Sequence, residues 1–321
     1  MNEPAVAVAV ASRNRPVRLR WLLNALSEQR FGGRFEVIVA YDQACAETRR
    51  LLETHPLRVQ SQLRTVGFPS HSTFPGAGRN AAWRATRAPL ILFTDDDCRP
   101  TVGWIADAVG AAAAHPGTIL QGRTLPDPDE AMVLRGAPWT NTMLILPPTP
   151  WAQTCNIGYR RELLERLGGF EEGMRVGEDT EIALRAQRAG AKIVAAPGML
   201  VYHAVHAHSL LSMLRGLPRW RDIAWLVKRH PRVRRHMWAA IWWKPEHAAL
   251  SGALVGVWLN RRCHAGAVLT LPWLALSMRH RGYDGRGILR SITELPGHAA
   301  IDGAEIATMA RGSLRYRTLL L

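Results

Sequence analysis

The sequence predicts an α/β fold in which a mainly parallel sheet carries helices on both faces, followed by a C-terminal helical region. Three observations lead there. Between residues 5 and 93, short apolar runs alternate with segments of helical periodicity, the β-α-β-α order that places a parallel sheet between layers of helix. The last of these runs ends in three consecutive carboxylates, Asp95, Asp96 and Asp97, and open α/β sheets bind their ligands beyond the carboxyl ends of the strands. From about residue 209 the character shifts to helices rich in Trp and Arg.

Residues 5–11, AVAVAVA, are all small or β-branched and form a first strand. Leu19, Trp21, Leu22, Leu23 and Leu26 then recur at helical spacing. Residues 35–40 give a second strand, 44–53 a second helix, 78–86 the opening of another helix and 90–93 a buried strand. Residues 115–150 are less regular, with prolines at 126, 128, 138, 147, 148 and 150, and read as connecting strands and an acceptor-side loop. Helices are expected over 160–167, stopped by Gly168 and Gly169, and over 178–189. Short strands are expected at 192–195 and 199–202. The change of character places a domain boundary near residue 209, giving domains over 1–208 and 209–321.

A chain of 321 residues with 47% hydrophobic content buries a substantial core, and 21% charged residues of mixed sign exclude a disordered chain. Cys45, Cys98, Cys155 and Cys263 show no metal-ligand or redox spacing, which points to a reducing compartment. The opening MNEPAVAVAVAS has a seven-residue apolar run and no basic leader, so it reads as a strand rather than a signal peptide. The net charge of +15 is uneven: residues 213–321 hold 18 Lys and Arg against 6 Asp and Glu. A basic C-terminal third suits an anionic partner.

Among the motifs, LILFTDDDCRP at 90–100 is the most informative. Three carboxylates at the mouth of a buried strand repel one another unless a cation compensates them. Hard divalent ions such as Mg²⁺ or Mn²⁺ accept oxygen ligands and share them with phosphates. On an extended backbone, Asp95 and Asp97 point one way and Asp96 the other. VGEDTEIALRAQRAG at 176–190 puts Glu178, Asp179 and Glu181 in the first turn of a helix, where acids are electrostatically favoured. Its apolar face, with Ile182, Ala183, Leu184 and Ala186, leaves the acidic turn free to line a cleft. NIGYRRELLERLGGFEE at 156–172 reads as a helix-turn packing unit. Arg79 and Asn80 in FPGAGRNAAWRAT either cap a helix start or contact phosphate there. His203 in VYH is by itself an ordinary structural histidine.

Taken in order, these segments resemble the family-2 glycosyltransferases of GT-A fold, over about residues 6–203. ASRNRP, EVIVAYD, GRNAA, FTDDDCRP, NIGYRRELLERLGGF, GEDTEIALR and VYH carry the resemblance. It implies an inverting transfer from a nucleotide-sugar donor to an acceptor hydroxyl on a glycan, a lipid-linked molecule or a small molecule. It further implies that Asp179 is the base, with Glu178 orienting it or the acceptor. Ser12, Arg13 and Asp42 hold the nucleoside; Arg79, Asp95 and Asp96 contribute to donor binding; Asp95, Asp97 and His203 hold Mg²⁺ or Mn²⁺. Tyr41 departs from the paired acids common in the family after the second strand, which leaves the choice among UDP, GDP and dTDP open.

Two other functions compete. A nucleotidyltransferase shares such a sheet and acidic site but needs a Gly-rich triphosphate loop, which ASRNRP lacks. A non-catalytic membrane or nucleic-acid adaptor explains the basic C-terminal third and leaves both acidic motifs unexplained. Nucleic acid is therefore not the expected partner; an anionic membrane surface is. Residues 220–235 are expected as a surface basic helix and turn broken near Pro231, with Lys228, Arg229, Arg232, Arg234 and Arg235 outward. Apolar stretches 247–259 and 265–278 are too short to span a bilayer, which takes about 20 residues. Arg261 and Arg262 join them, and Lys244, Arg279 and Arg281 flank them; Trp238, Trp242, Trp243, Trp258 and Trp273 suit an interfacial position. The expected location is cytoplasmic, peripheral on the inner face of the cell membrane.

Overall fold

Eight strands form one sheet in the computed structural model, which describes residues 3–68, 74–261, 264–279 and 285–321. They are β1 (Val6–Ser12), β2 (Phe35–Asp42), β3 (Leu63–Phe68), β4 (Leu90–Thr94), β5 (Cys98–Pro100), β6 (Ile119–Pro126), β8 (Asn156–Arg160) and β9 (Ile193–His203). Two three-residue strands, β7 (Trp139–Asn141) and β10 (His206–His208), lie outside this sheet. The order is β3-β2-β1-β4-β8-β6-β9-β5. Strands β3, β2, β1 and β4 are parallel; β8 runs antiparallel to both β4 and β6; β6 and β9 are parallel, and β5 reverses against β9.

The pleat of β1 explains the layering. Val6, Val8 and Val10 join one buried layer with Leu19, Leu22, Leu23 and Leu26 of the Pro16–Ser27 helix and with Trp104. Ala7 and Ala9 face the other layer, beside Ile38, Ile91, Phe93 and Tyr159. Alanines on that face let the Pro75–Arg84 helix come close: a Cβ on Gly78 would lie 3.0 Å from the Ala11 Cβ. Both helices start with Pro at N1, where the missing N–H costs no bond and φ is already helical.

Several elements differ from the sequence expectation. The helix opening expected at 78 begins at Pro75, and the one expected at 44 begins at Ala46. Strands β3 and β8 and the short Pro56–Val59 helix emerge only in the fold, whereas β6 falls in the 115–150 stretch expected to hold connecting strands. β8 carries Asn156, Gly158 and Arg160, a composition that reads as the approach to a helix. Asn156 is fixed by its neighbours: it accepts from Trp104 Nε1 at 2.9 Å and donates to Met199 O at 2.7 Å and Arg123 O at 3.0 Å. It thereby spans the irregularity at Gly122/Arg123 where β6 pairs with β9. The two short strands expected at 192–202 are one strand, β9, running through Pro197 and Gly198.

The chain divides into two compact units, residues 1–136 with 140–206, and residues 137–139 with 207–321. The second unit is helical, with Pro245–Leu259, Leu271–Met278 and Gly285–Tyr316 as its main helices. The basic stretch breaks at His230–Pro231 as expected; Lys228, Arg229, Arg232 and Arg235 are exposed, while Arg234 is half-buried and donates to Ala240 O and Thr318 Oγ1. No described helix is long and apolar enough to cross a membrane. Leu254, Val255, Val257 and Trp258 are each more than half exposed. Two expectations for this unit are corrected. Trp273 is buried and donates to Asp302 Oδ2 at 3.0 Å, so it is a core residue rather than an interfacial one. Lys244 bridges Asp302 at 2.9 Å and Glu305 at 2.6 Å, which turns its charge inward. Arg262, Cys263 and Arg281 lie outside the described residues.

Candidate functional site

The carboxyl ends of β1 and β4 lie side by side at the point where the strand order reverses, the usual ligand position in such sheets. Asp95, Asp96 and Asp97 follow β4 as a turn rather than as extended chain, so the alternation expected from a strand does not apply. Asp96 does not point away. Its Oδ2 accepts from Ser12 Oγ at 2.7 Å, and its Oδ1 lies 3.2 Å from Arg15 Nη1. The same nitrogen lies 2.7 Å from Asp97 Oδ2. Asp95 turns instead to Arg79, at 2.9 Å.

A cavity of about 270 Å³ opens beside this turn, lined by Ser12, Arg13, Arg15, Phe68, Phe74 and Arg79 among others. Asp42 is not among the lining residues; it lies 3.8 Å from Arg13 Nε, which is, and accepts from Ala44 N at 3.0 Å. Burial pushes the Asp96 carboxyl up to about 7, against the opposing charge of Arg15 and the hydrogen bond from Ser12. Burial acts the same way on Asp97, but the hydrogen bond with His206 and the electrostatic attraction of the neighbouring His203 and Arg15 side chains outweigh it and hold this carboxyl at about 2.

The residues around Asp97 fit a divalent cation. Asp97 Oδ1 is buried with no hydrogen-bond partner and lies 3.6 Å from His203 Nε2. His203 Nδ1 faces the Ala204 carbonyl at 2.8 Å, and a carbonyl only accepts, so this nitrogen carries a proton. In its neutral form the imidazole therefore presents the Nε2 lone pair to a carboxylate oxygen, an arrangement that a cation between them would resolve. His206 Nε2 stands 2.9 Å from Asp97 Oδ2. Cys98 shares the cluster, but its hydrogen bonding with Cys155, then burial, push its thiol well up, so it stays protonated and is a poor ligand.

A buried arginine ties this turn to the second acidic motif. Arg79 pairs with Asp95 through one nitrogen and with Glu178 through another. Glu178 is thereby committed to Arg79. Asp179, next in the same helix turn, keeps part of its surface exposed and accepts from the Thr180 amide at 2.7 Å. Burial and the neighbouring Glu178 charge push the Asp179 carboxyl up to about 7, with Arg79 opposing. Gly177 makes the turn possible at φ +84°, a left-handed conformation that glycine adopts without steric cost.

The motifs read as packing units hold this assembly. Asn80 donates to Phe170 O and accepts from Phe170 N and Trp83 Nε1, each at 2.9 Å. Gly169 sits at φ +83° against it; a Cβ there would lie 2.4 Å from Asn80 Oδ1. Thus GRNAA and LGGF form one clamp under Arg79. Of the residues singled out in the sequence, Ser12, Asp96, Asp97 and His203 converge on one turn, and Arg79 joins Asp95 to Glu178. Arg15 and His206 were missed. The spacing of His203 and His206, three residues apart around the end of β9, was the available signal for the second.

Known proteins share this arrangement of chain. The family model described as Glycosyl transferase family 2 matches residues 7–168, and that of Glycosyl transferase family group 2 matches residues 90–278. The succinoglycan biosynthesis protein ExoO of Rhizobium meliloti (strain 1021) is 27% identical over 237 residues, covering 67% of this chain and 66% of ExoO. A pre-mycofactocin glycosyltransferase of Mycobacterium tuberculosis (strain ATCC 25618 / H37Rv) is 25% identical over 209 residues, covering 62% of this chain. The match covers 42% of that relative, less than half its length. Among solved structures, the mannosyltransferase PcManGT from Pyrobaculum calidifontis, in complex with GDP-Man and Mn²⁺, superposes with a TM-score of 0.59 at 19% identity, covering 97% of this chain and 88% of that one. TarS 1–349 of S. aureus, in complex with UDP-GlcNAc, gives 0.53 at 18% identity, covering 98% and 92%.

Proposed function

The chain belongs to glycosyltransferase family 2 and has its GT-A type fold, and on that footing we propose that it transfers a sugar from a nucleotide-sugar donor to an acceptor hydroxyl, with inversion and with help from Mg²⁺ or Mn²⁺. One observation carries the reading: a partly exposed carboxyl, Asp179, poised near neutrality, is joined through Glu178, Arg79 and Asp95 to the acidic turn at the strand ends.

The nucleoside side of the donor enters the cavity lined by Phe68, Phe74, Arg13, Ser12 and Asp96, with Asp42 beside Arg13. Asp97 and His203, with Asp95 or His206 in support, would hold the cation. When bound, the cation neutralises charge on the departing diphosphate. Asp179 takes the proton of the acceptor hydroxyl as its oxygen bonds to the anomeric carbon and the bond from that carbon to the diphosphate breaks. Glu178 fixes Arg79 and, through its charge, keeps Asp179 basic enough to accept that proton.

By the same reading, the enzyme works peripherally on an anionic membrane surface of the cytoplasmic face, bound through its second unit. The exposed apolar side chains of Leu254, Val255, Val257 and Trp258, with exposed Lys228, Arg229, Arg232 and Arg235, support this reading.

Incubation with a panel of UDP-, GDP- and dTDP-sugars, with Mn²⁺ or with chelator, tests the function. One donor class releases its nucleoside diphosphate in a metal-dependent way. Absence of both release and saturable donor binding across the panel contradicts the proposal.

A further inference from the structure

Arg15 lies at the last residue before the Pro16–Ser27 helix, in the loop where Asn14 adopts φ +54°. Its Nη1 reaches Asp97 Oδ2 at 2.7 Å and Asp96 Oδ1 at 3.2 Å. The positive end of this side chain therefore sits on the carboxylates that the metal reading needs. We propose that Arg15 is an internal cation that holds Asp96 and Asp97 together until a divalent ion and the donor diphosphate displace it. Metal and donor then bind cooperatively through its release. The inference rests on the donor-and-metal reading above and adds to it the residue that sets the order of binding.

Three features carry it. The first is competition for one oxygen. Asp97 Oδ2 is taken by Arg15 and His206, while Oδ1 has no hydrogen-bond partner. A divalent ion reaching Asp97 and His203 meets the guanidinium within a few ångströms, and like charges that close cannot both be retained at low cost. The second is that Arg15 can leave. Its side chain is 49% exposed, whereas those of Asp96 and Asp97 are each 5% exposed. The acids stay where they are, and the arginine has solvent and cavity to move into. The third is the destination. Arg15 lines the same cavity as Ser12, Arg13 and Arg79, and a diphosphate there offers a planar guanidinium paired, charge-assisted bonds that a single carboxylate oxygen does not. Ser12 Oγ also donates to Asp96, at 2.7 Å, so the position of this carboxylate does not depend on Arg15 alone.

The test is a titration with Mn²⁺ alone, read from the paramagnetic resonance signal of the free ion. The same titration follows in the presence of UDP or GDP, whichever binds. The full-length wild type, Arg15→Met, Arg15→Lys and Arg20→Met are compared; Arg20 is an exposed residue of the same helix, outside the site. Without nucleotide, Arg15→Met should bind Mn²⁺ at least about tenfold more tightly than wild type, within the 5- to 150-fold range typical of coupled sites. The enhancement of Mn²⁺ affinity by nucleotide should shrink by a similar factor. Arg15→Lys retains the charge and should stay within about threefold of wild type, as should Arg20→Met, which reports the bare loss of a surface charge. Unchanged or weaker Mn²⁺ binding in a folded Arg15→Met protein overturns the proposal and leaves the metal reading standing. A lysine variant that binds as tightly as the methionine variant overturns it as well. If neither wild type nor Arg15→Met binds Mn²⁺, with or without nucleotide, the metal reading itself fails and this inference with it.

Discussion

Asp179→Asn removes a proton acceptor while changing almost no volume, so it separates chemistry from binding. Positioned general bases contribute on the order of 10²- to 10⁴-fold, and turnover should fall by that factor. Donor affinity should hold, because Arg79, Asp95 and the acidic turn are untouched. The carboxyl is poised at about 7 by burial and by Glu178. In wild type, kcat/KM should therefore drop about tenfold per pH unit below that value, because the base must be deprotonated to act. Stability should move the opposite way. The folded protein keeps a proton on Asp179 that the unfolded chain releases near its ordinary value of 3.8, so stability declines as pH rises from there to about 7 and levels off above. The cost at pH 8 is at most ~4 kcal/mol, and less in so far as the carboxyl keeps solvent contact. Asn carries no such cost, so the variant should melt several degrees higher than wild type at pH 8 and at a similar temperature near pH 4. Diphosphate release, donor calorimetry and melting curves at both pH values measure all three effects. Near-normal turnover in Asp179→Asn, or a wild-type profile flat from pH 5 to 8, refutes the assignment.

Arg79→Met strands Glu178 and Asp95, and losing one member of a buried ion pair costs about 3–5 kcal/mol. Melting should fall accordingly, and because Arg79 opposes the upward push on Asp179, the acid limb of any residual activity should move to higher pH. Replacing Lys228, Arg229 and Arg232 by Gln should weaken binding to anionic vesicles, at about 1 kcal/mol per basic residue near the surface. Unchanged sedimentation with such vesicles at low salt counts against the membrane reading.

Much of the sheet is legible because its central strands are uniform. β1 and β4 are apolar on both faces, so their runs stand out in any window. β8 and β6 are also central, yet polar residues interrupt them: Asn156 and Gln121 are buried but bonded within the fold, which no local pattern announces. The acidic turn is legible as three adjacent carboxylates; its geometry is not, because a turn after β4 redirects each side chain. Arg79 and Glu178 lie 99 residues apart, and their pairing is a product of tertiary packing alone. Arg15 was visible in ASRNRP as a basic residue at the end of the first strand, but its contact with Asp97 spans 82 positions. The boundary near residue 209 rests on composition, and the units divide at 206/207, with residues 137–139 joining the second.

Calorimetric donor binding, with Mn²⁺ and with chelator, in wild type and in Asp97→Ala, bears most directly on the account. The turn after β4 would hold the divalent ion that assists binding of the donor diphosphate. Donor affinity should fall with chelator in wild type and fall comparably, with no further effect of chelator, in Asp97→Ala. Donor binding that is indifferent to both the ion and the substitution contradicts the claim.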